Sequence, residues 1–358
     1  MSGRQSQGVA NVAQLAEFDE VIDVRSPAEF AEDRLPRAIN CSVLDDEQRA
    51  RVGTLYKQVS PFAAKKVGAA LVARNIANHI EQCFLDKPRD WRPLVYCWRG
   101  GQRSGGFSHI LRQIGWDAQR LEGGYKAWRR HVLDQLVILP RHFHYRVVSG
   151  ATGSGKSRLL EALSLEGAQV LHLEELAAHK GSVLGALPGA LQPSQKMFES
   201  RLFQALAGFR PERPVFVEAE SRRIGGLQLP DVLLEMIRAA PSLQIEATMA
   251  ARVAFLLRDY DYFLADPLWL IEKLRHLRGL QSQETIARWE NLVVTKEFPT
   301  LVGELLELHY DPLYQRSQTR NYAGFETASR LPTGDLSPGA INELAREILA
   351  KSMLGADA

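Results

Sequence analysis

Pro93-Leu94-Val95-Tyr96-Cys97-Trp98-Arg99-Gly100-Gly101-Gln102-Arg103-Ser104-Gly105-Gly106 carries an apolar run into a cysteine and then into glycines and arginines. Leu94 to Tyr96 reads as a short buried strand. Beyond the loop, Phe107, Ile110, Leu111 and Ile114 recur at helical spacing, and Gly115 stands where a helix C-cap belongs. Cys97 is thereby placed between a strand end and a helix start. Backbone N–H groups at a helix N-terminus carry partial positive charge. Arg99 and Arg103 add full charges, and such surroundings favour the thiolate, the nucleophilic form. Glycines let the backbone curl so that several N–H groups face one anion. A free cysteine at a strand end is commonly an inert small hydrophobe. Two arginines and four glycines within ten residues point instead to a reactive, anion-facing thiol.

Outward from this loop, strands alternate with helices. Val21 to Arg25 is a short apolar strand ending in an acid and a base, Asp23 and Arg25, which suit an ion pair at the sheet. Ser26-Pro27-Ala28-Glu29 then has an N-cap serine, a proline at the first helical position and a glutamate at the third. Leu35 to Asn40 reads as a turn into a further strand, Ser60 to Ile80 contains a helix, and Ala118 to Leu121 another strand. Gly123-Gly124 turns into a helix carrying Trp128, a core aromatic. This alternation predicts a parallel sheet covered by helices. Pro140-Arg141-His142 breaks the apolar run from Val132 to Leu139, which places a domain boundary there.

A second anion site follows. Tyr145 to Ser149 reads as a strand that runs into Gly150-Ala151-Thr152-Gly153-Ser154-Gly155-Lys156-Ser157, with Leu159, Leu160 and Leu163 continuing as a helix. Strand, GxxxxGK[ST] and helix together form a phosphate loop. Gly150, Gly153 and Gly155 expose backbone N–H groups, Lys156 neutralises the outer charge, and Ser157 can hold Mg²⁺. Pro214 to Arg223 stands where a Walker-B strand belongs, but Glu218 and Glu220 replace the usual aspartate. Either could contact Mg²⁺, or pair with Arg222 or Arg223; a diphosphate other than a nucleotide could occupy the cradle. His179, Lys180 and Ser182 beside glycine suit an anionic ligand or a solvated loop.

From Pro241 onward the pattern reads as mostly helical, with a break at His309 to Ser317 and a capped amphipathic helix from Leu336 to Met353. Arg275, Arg278, Tyr314, Arg316 and Arg320 stand among basic and aromatic residues, a mixture that suits RNA or a solvated face balanced by acids. The expected organisation is an α/β chain: a first domain over 1–138, a phosphate-loop domain over 139–240, and a mostly helical region over 241–358. The composition is that of an ordinary soluble protein, with 45% hydrophobic and 24% charged residues and a formal net charge of +2. Nucleic acid would therefore need a local basic patch. Cys41, Cys83 and Cys97 lack CxxC spacing, which argues against a disulfide scaffold or a zinc site. No apolar run approaches a membrane span, and a reduced cytoplasm is the simplest setting.

Two resemblances sharpen these expectations. Ile22-Asp23-Val24-Arg25 with Phe30, Leu35-Pro36-x-Ala38-x-Asn40 and Leu121-x-Gly123-Gly124-x-x-x-Trp128 resemble the rhodanese signatures, over about residues 10–135. Five residues, Trp98 to Gln102, separate Cys97 from Arg103, one more than in the common rhodanese loop. A wider loop is also seen in rhodanese-fold phosphatases, so a bulkier anion, phosphate or selenophosphate, is expected here. Glu174-x-x-Ala177-x-His179-x-Gly181-Ser182, Gln192-Pro193-Ser194-Gln195 and Glu218-x-Glu220-Ser221-Arg222-Arg223-x-Gly225, joined to a rhodanese-like domain, resemble the tRNA 2-selenouridine synthase family. Leu184 and His172 depart from that family's usual phenylalanine and aspartate.

The second resemblance implies a substrate and a route. The substrate is wobble 2-thiouridine of tRNA, geranylated on sulfur by geranyl diphosphate and then converted to 2-selenouridine by selenophosphate. It implies that Gly150, Gly153, Gly155, Lys156, Ser157, His179, Glu218, Glu220 and Arg222 serve the diphosphate, with Mg²⁺ on Ser157 and Glu218. Cys97, Arg99 and Arg103 would serve the selenophosphate step, with Cys97 as selenium carrier or as nucleophile. Rival expectations are an ATP-coupled rhodanese-type tRNA sulfurtransferase and a non-catalytic, nucleotide-gated RNA-binding module.

Overall fold

The structure, a computed structural model, describes residues 8–181, 185, 189–321 and 327–354, with side chains of 317–321 and 352–354 outside that description. Ser182, Leu184 and Tyr322, and the side chain of Arg320, thus lie outside the described residues. The chain forms two compact units. The first runs to Gln135 and includes Ser194–Gln204; the second is Leu136–Pro193 and the chain from Ala205 onward.

In the first unit β1 (Val9–Ala10), β2 (Glu20–Asp23), β3 (Ala38–Asn40), β4 (Pro93–Tyr96) and β5 (Gln119–Leu121) form a parallel sheet in the order β1-β5-β4-β2-β3. Its helices are α1 (Pro27–Glu32), α2 (Asp46–Gln58), α3 (Pro61–His79), α4 (Gln102–Ile114) and α5 (Gly124–Ile138). Local chemistry sets their starts. Ser26 and Glu29 form a capping box on α1, and Ser60 caps α3 ahead of Pro61. Gly115 ends α4 in the left-handed conformation, as its position predicts. The central strand β4 is buried along its length, and Val95 and Cys97 join Phe107, Leu111, Phe84 and Trp91 in one core.

In the second unit β6 (Tyr145–Gly150), β7 (Gln169–Leu171), β8 (Val215–Glu218), a hairpin of β9 (Arg223–Ile224) and β10 (Leu227–Gln228), β11 (Ser242–Ala247) and β12 (Ser329–Thr333) supply the strands. The main sheet is parallel, in the order β12-β11-β6-β8-β7. Its helices include α6 (Lys156–Leu165), α7 (Leu173–Ala177) and α9 (Asp231–Ala239), while α8 (Gln195–Ala207) lies mostly in the first unit. Between β11 and β12 the chain leaves the sheet as α10 (Met249–Asp259), α11 (Asp261–Ala265), α12 (Pro267–Arg275), α13 (Gln283–Val294), α14 (Phe298–Leu305) and α15 (Asp311–Asn321). It returns through β12 to α16 (Pro338–Leu354), which packs with α6, β6 and β11 in one core.

The structure corrects two expectations. No boundary stands at residue 240, because β11 begins at Ser242 and pairs with β6 itself. The region 241–358 is mostly helical, as expected, but its strands β11 and β12 complete the phosphate-loop sheet. His309 to Ser317 does not break the helix, since a π-turn over Leu306–Tyr310 leads directly into α15. Pro312 has no N–H to give the preceding turn, and the helix meets it with the wider π-turn over Leu306–Tyr310 in place of a regular α-turn. Among the described residues no helix is long and apolar enough to cross a membrane.

Candidate functional site

Cys97 follows the central strand of the first sheet and is buried. Its Sγ lies 3.2 Å from Ser104 Oγ, and backbone N–H groups of Arg99 and Ser104 also reach the sulfur. Burial alone would push the thiol up. The hydroxyl and N–H of Ser104, the charge of Arg103 and the N–H of Arg99 together outweigh it and hold Cys97 below the ordinary cysteine value. Arg103 donates from Nη1 to Glu29 Oε2 at 2.9 Å, so the α1 capping residue also fixes the loop arginine. The side chain of Arg99 is exposed; its contribution to the sulfur is its N–H.

The loop is closed from the other side by the start of α5. Tyr125 N–H donates to Cys97 O at 2.9 Å and Lys126 N–H to Trp98 O at 3.0 Å. A Cβ on Gly124 would stand 2.3 Å from Cys97 O and 2.4 Å from Gly100 N, at a φ of 58°, so only glycine permits this approach. Below the loop, Arg25 and Asp23 form a fully buried ion pair at 2.6 Å, and the Arg25 guanidinium lies over the Tyr125 ring. This pair sits at the end of an interior strand rather than at a sheet edge.

The second site follows the central strand of the second sheet. Gly150, Gly153 and Gly155 all have positive φ, and Lys156 Nζ donates to Gly150 O at 2.8 Å. A cleft of about 400 Å³ opens over the loop. Its walls include Gly153, Gly155, Lys156, Ser157, Glu174 and Glu220 on one side, and Lys180, Phe255, Leu256, Asp259 and Tyr260 on another. Lys180 is held by Asp259 Oδ2 at 2.6 Å and lies 4.1 Å from the Tyr260 ring centroid. Arg252, buried, donates to Thr152 O at 2.8 Å and to both carboxylate oxygens of Asp311, tying the phosphate loop to α15.

Three carboxylates meet beneath the cleft. Ser157 Oγ donates to Glu174 Oε2 at 2.7 Å, and Glu174 N–H donates to Glu218 Oε1 at 2.7 Å. Burial, then the charge of Glu174, pushes Glu218 up to about 8; the same two causes and Glu218 itself push Glu220 well above the carboxylate range. Burial likewise pushes the Lys156 ammonium down, against the pull of Glu174 and Glu220. A Cβ on Gly181 would come within 3.0 Å of carboxylate oxygens of Glu220 and Glu174. Glu218 Oε2 is buried with no hydrogen-bond partner. A hydroxyl, a neighbouring carboxylate and an orphaned carboxylate oxygen are a donor set that fits Mg²⁺, which takes few protein ligands and completes its shell with phosphate and water. Among the described residues no cluster of three His, Cys, Asp or Glu stands ready to hold a metal alone.

Not every expected residue reaches a site. Arg222 is exposed and paired with Asp231 at 2.6 Å, away from the cleft lining. His179 accepts the Gly181 N–H at Nδ1 and shapes the loop behind Lys180. Arg275 and Arg278 share Glu290 on an exposed surface, and Trp289 is core. Arg316 is exposed and donates to Pro312 O, whereas Tyr314 lines the phosphate cleft. Of these four, Tyr314 alone lines the cleft, and the three arginines are exposed. Glu174, Arg252, Asp259 and Tyr260 were not singled out for the site from the sequence. Glu174 did stand in the quoted Glu-x-x-Ala-x-His pattern, whereas Arg252 has no local signal, because its partners are 100 and 59 residues away.

A low-pKa cysteine cradle after one parallel sheet and a phosphate loop after another define a protein of the rhodanese-plus-P-loop class. Residues 9–131 match the family model for the rhodanese-like domain, and residues 143–269 match that for the tRNA 2-selenouridine synthase AAA domain. The tRNA 2-selenouridine synthase of Alcanivorax borkumensis is 34% identical over 84% of this chain and 90% of its own length. That of Aeromonas salmonicida is 32% identical over 82% and 86%, and that of Nitrosomonas europaea 37% identical over 71% and 66%. The chain belongs to the tRNA 2-selenouridine synthase family, and is a transferase of that kind.

Proposed function

We propose that the chain converts wobble 2-thiouridine of tRNA to 2-selenouridine, with geranyl diphosphate bound at the phosphate loop and selenophosphate at the Cys97 loop. The observation that carries the choice of an alkyl diphosphate over a nucleotide is the cleft wall facing the loop. Beyond the phosphate loop Phe255, Leu256, Tyr260 and Leu313 give it apolar surface beside the charged and polar side chains of Lys180, Asp259, His309 and Tyr314, and among the described residues no Asn or Gln side chain lines it. The names of the relatives supply the tRNA and the selenium.

In the first step the 2-thio sulfur attacks C1 of the geranyl group. The C–O bond breaks, diphosphate leaves with the electron pair, and the base loses its N3 proton to solvent. Lys156 and the loop N–H groups stabilise the leaving charge. Mg²⁺, held by Ser157 with Glu174 or Glu218, would supply further charge neutralisation there. In the second step the Cys97 thiolate attacks the phosphorus of selenophosphate, with its oxygens on the loop N–H groups and Arg103. The P–Se bond breaks and selenide leaves with its pair. Selenide adds to C2 of the base, geranyl thiolate leaves with the C2–S pair, and water cleaves the S–P bond to return the thiol and phosphate. Nothing is oxidised or reduced. The base must leave its stack to reach either site.

Product analysis tests both halves. Thiolated tRNA is incubated with geranyl diphosphate and selenophosphate, digested, and its nucleosides weighed. Cys97→Ser should accumulate geranylthiouridine and form no selenouridine; normal selenouridine would remove Cys97 from the mechanism. Lys156→Ala should slow geranylation by at least about 100-fold. A normal rate would mean that the loop holds something else, and steady ATP consumption with tRNA would favour the sulfurtransferase.

A further inference from the structure

A second cavity, of about 80 Å³, adjoins the phosphate cleft. Thr152, Leu256, Tyr260 and Tyr310 line both. The rest of its wall is hydrocarbon: Leu257, Phe263 and Leu264 from α10 and α11, Leu270 from α12, Phe298, Leu301, Val302 and Leu305 from α14, and Leu306 just beyond it. Leu270, Leu301 and Leu305 do not line the phosphate cleft, and they also belong to the core of the α11–α14 helices. All three are buried, so they bound the cavity against that core. Away from the Thr152, Tyr260 and Tyr310 hydroxyls that it shares with the cleft, the described lining gives a nucleobase no partner for its polar edge, which would cost the hydrogen bonds it makes in water. It offers an apolar chain a continuous wall from the diphosphate outward.

We propose that this cavity is the tail subsite of the diphosphate ester, and that Leu270, Leu301 and Leu305 set the longest hydrocarbon chain the enzyme transfers. The inference rests on the reading of the phosphate loop as a diphosphate-ester site. The chain's first carbons lie in the cleft against Phe255, Leu256 and Tyr260, and its distal end enters the cavity. Selectivity then follows from fit, because a single methylene too many or too few in an apolar pocket changes kcat/KM by roughly 10–200-fold.

The full chain is assayed for transfer of five-, ten- and fifteen-carbon isoprenoid tails from their diphosphates to thiolated tRNA. Leu301→Ala enlarges the cavity toward the helical core and should raise the fifteen- to ten-carbon kcat/KM ratio by about 10-fold or more. Val302→Phe, at a half-buried position, fills it and should lower the ten- to five-carbon ratio by a similar factor. Both should bind inorganic diphosphate as the wild type does, since the cradle is untouched. Unchanged ratios in Val302→Phe with normal inorganic-diphosphate binding would overturn the subsite. So would equal weakening of inorganic and geranyl diphosphate, which would mean that the substitutions act through the fold. If Leu301→Ala does not fold, Val302→Phe alone decides. If the wild type transfers none of the three tails, the diphosphate-ester reading itself falls, and the subsite with it.

Discussion

Cys41 and Cys97 each stand just beyond a strand, each is buried, and both belong to the same core, yet their acidities diverge. Burial pushes Cys41 up to about 12, with nothing to oppose it. Cys97 has the same penalty, outweighed by donors that all come from its own loop. That is why its chemistry was legible in the sequence: the residues that tune it lie within seven positions of it. In a Cys83→Ser background, Ser104→Ala should raise the midpoint of the Cys97 alkylation rate by roughly one pH unit, the worth of one hydrogen bond to a charged sulfur. An unmoved midpoint would mean that the backbone N–H groups and Arg103 suffice. Glu218 gives a second test through stability. Its folded value, about 8, lies above the ordinary 4.5, so the folded state binds more protons between those limits. Stability is therefore lost as pH rises through that window, by at most about 1.4 kcal/mol per unit. Glu218→Gln keeps the acceptor for the Glu174 N–H and carries no charge. Relative to wild type, its urea midpoint should climb from pH 5 to 8 and level off above; parallel curves would show that Glu218 is ionised at neutral pH.

At the scale of elements, what sequence reading found and missed divides by distance along the chain. The strands before Cys97 and before the phosphate loop were legible because each is an apolar run ended by a distinctive local motif. β11, Ser242 to Ala247, alternates Leu243, Ile245 and Ala247 with polar residues, but stands among helices. β12 contains Pro332 and few apolar residues, which an edge strand tolerates and a sequence pattern conceals. Together they close the sheet around β6 and send the chain out as the helices that wall the cleft. Arg252 on α10 links these pieces, holding Thr152 of the phosphate loop and Asp311 of α15 at once. Arg252→Met keeps the buried stem but leaves Thr152 O and Asp311 without their donor. We expect a loss of about 2 kcal/mol in unfolding free energy, below the full cost of breaking a buried pair because Asp311 is partly exposed. Diphosphate affinity, measured calorimetrically, should fall by at least about 10-fold as the loop loosens. A stability loss with unchanged affinity would make Arg252 a strut of the fold rather than a positioner of the loop.

The largest departure from sequence reading concerns the whole molecule. A chain read in order divides at 138, but the first unit also contains Ser194–Gln204, drawn from the middle of the phosphate-loop half. No local pattern reveals this, since an amphipathic helix shows that it has a buried face and not which face covers it. The contacts are specific. Ser200 Oγ donates to Asp33 Oδ2 at 3.1 Å beside the Tyr125 hydroxyl, Lys196 pairs with Glu32, Arg129 pairs with Glu199, and Phe203 packs edge-on against Trp128. Burial already pushes the Asp33 carboxyl up, and Tyr125 and Ser200 are the side-chain donors that oppose it. A fragment of residues 1–138 therefore lacks a donor to a buried acid and the cover of Trp128. It should be less stable, by about 3 kcal/mol in urea, than the same fragment carrying residues 193–207 on a flexible linker, the difference expected from removing one large aromatic from a core. The added segment should also restore slow alkylation of Cys41, which the looser fragment exposes. Equal urea midpoints for the two fragments would show that the cysteine unit is complete without the borrowed helix, and that the boundary read from the sequence is the one that governs folding.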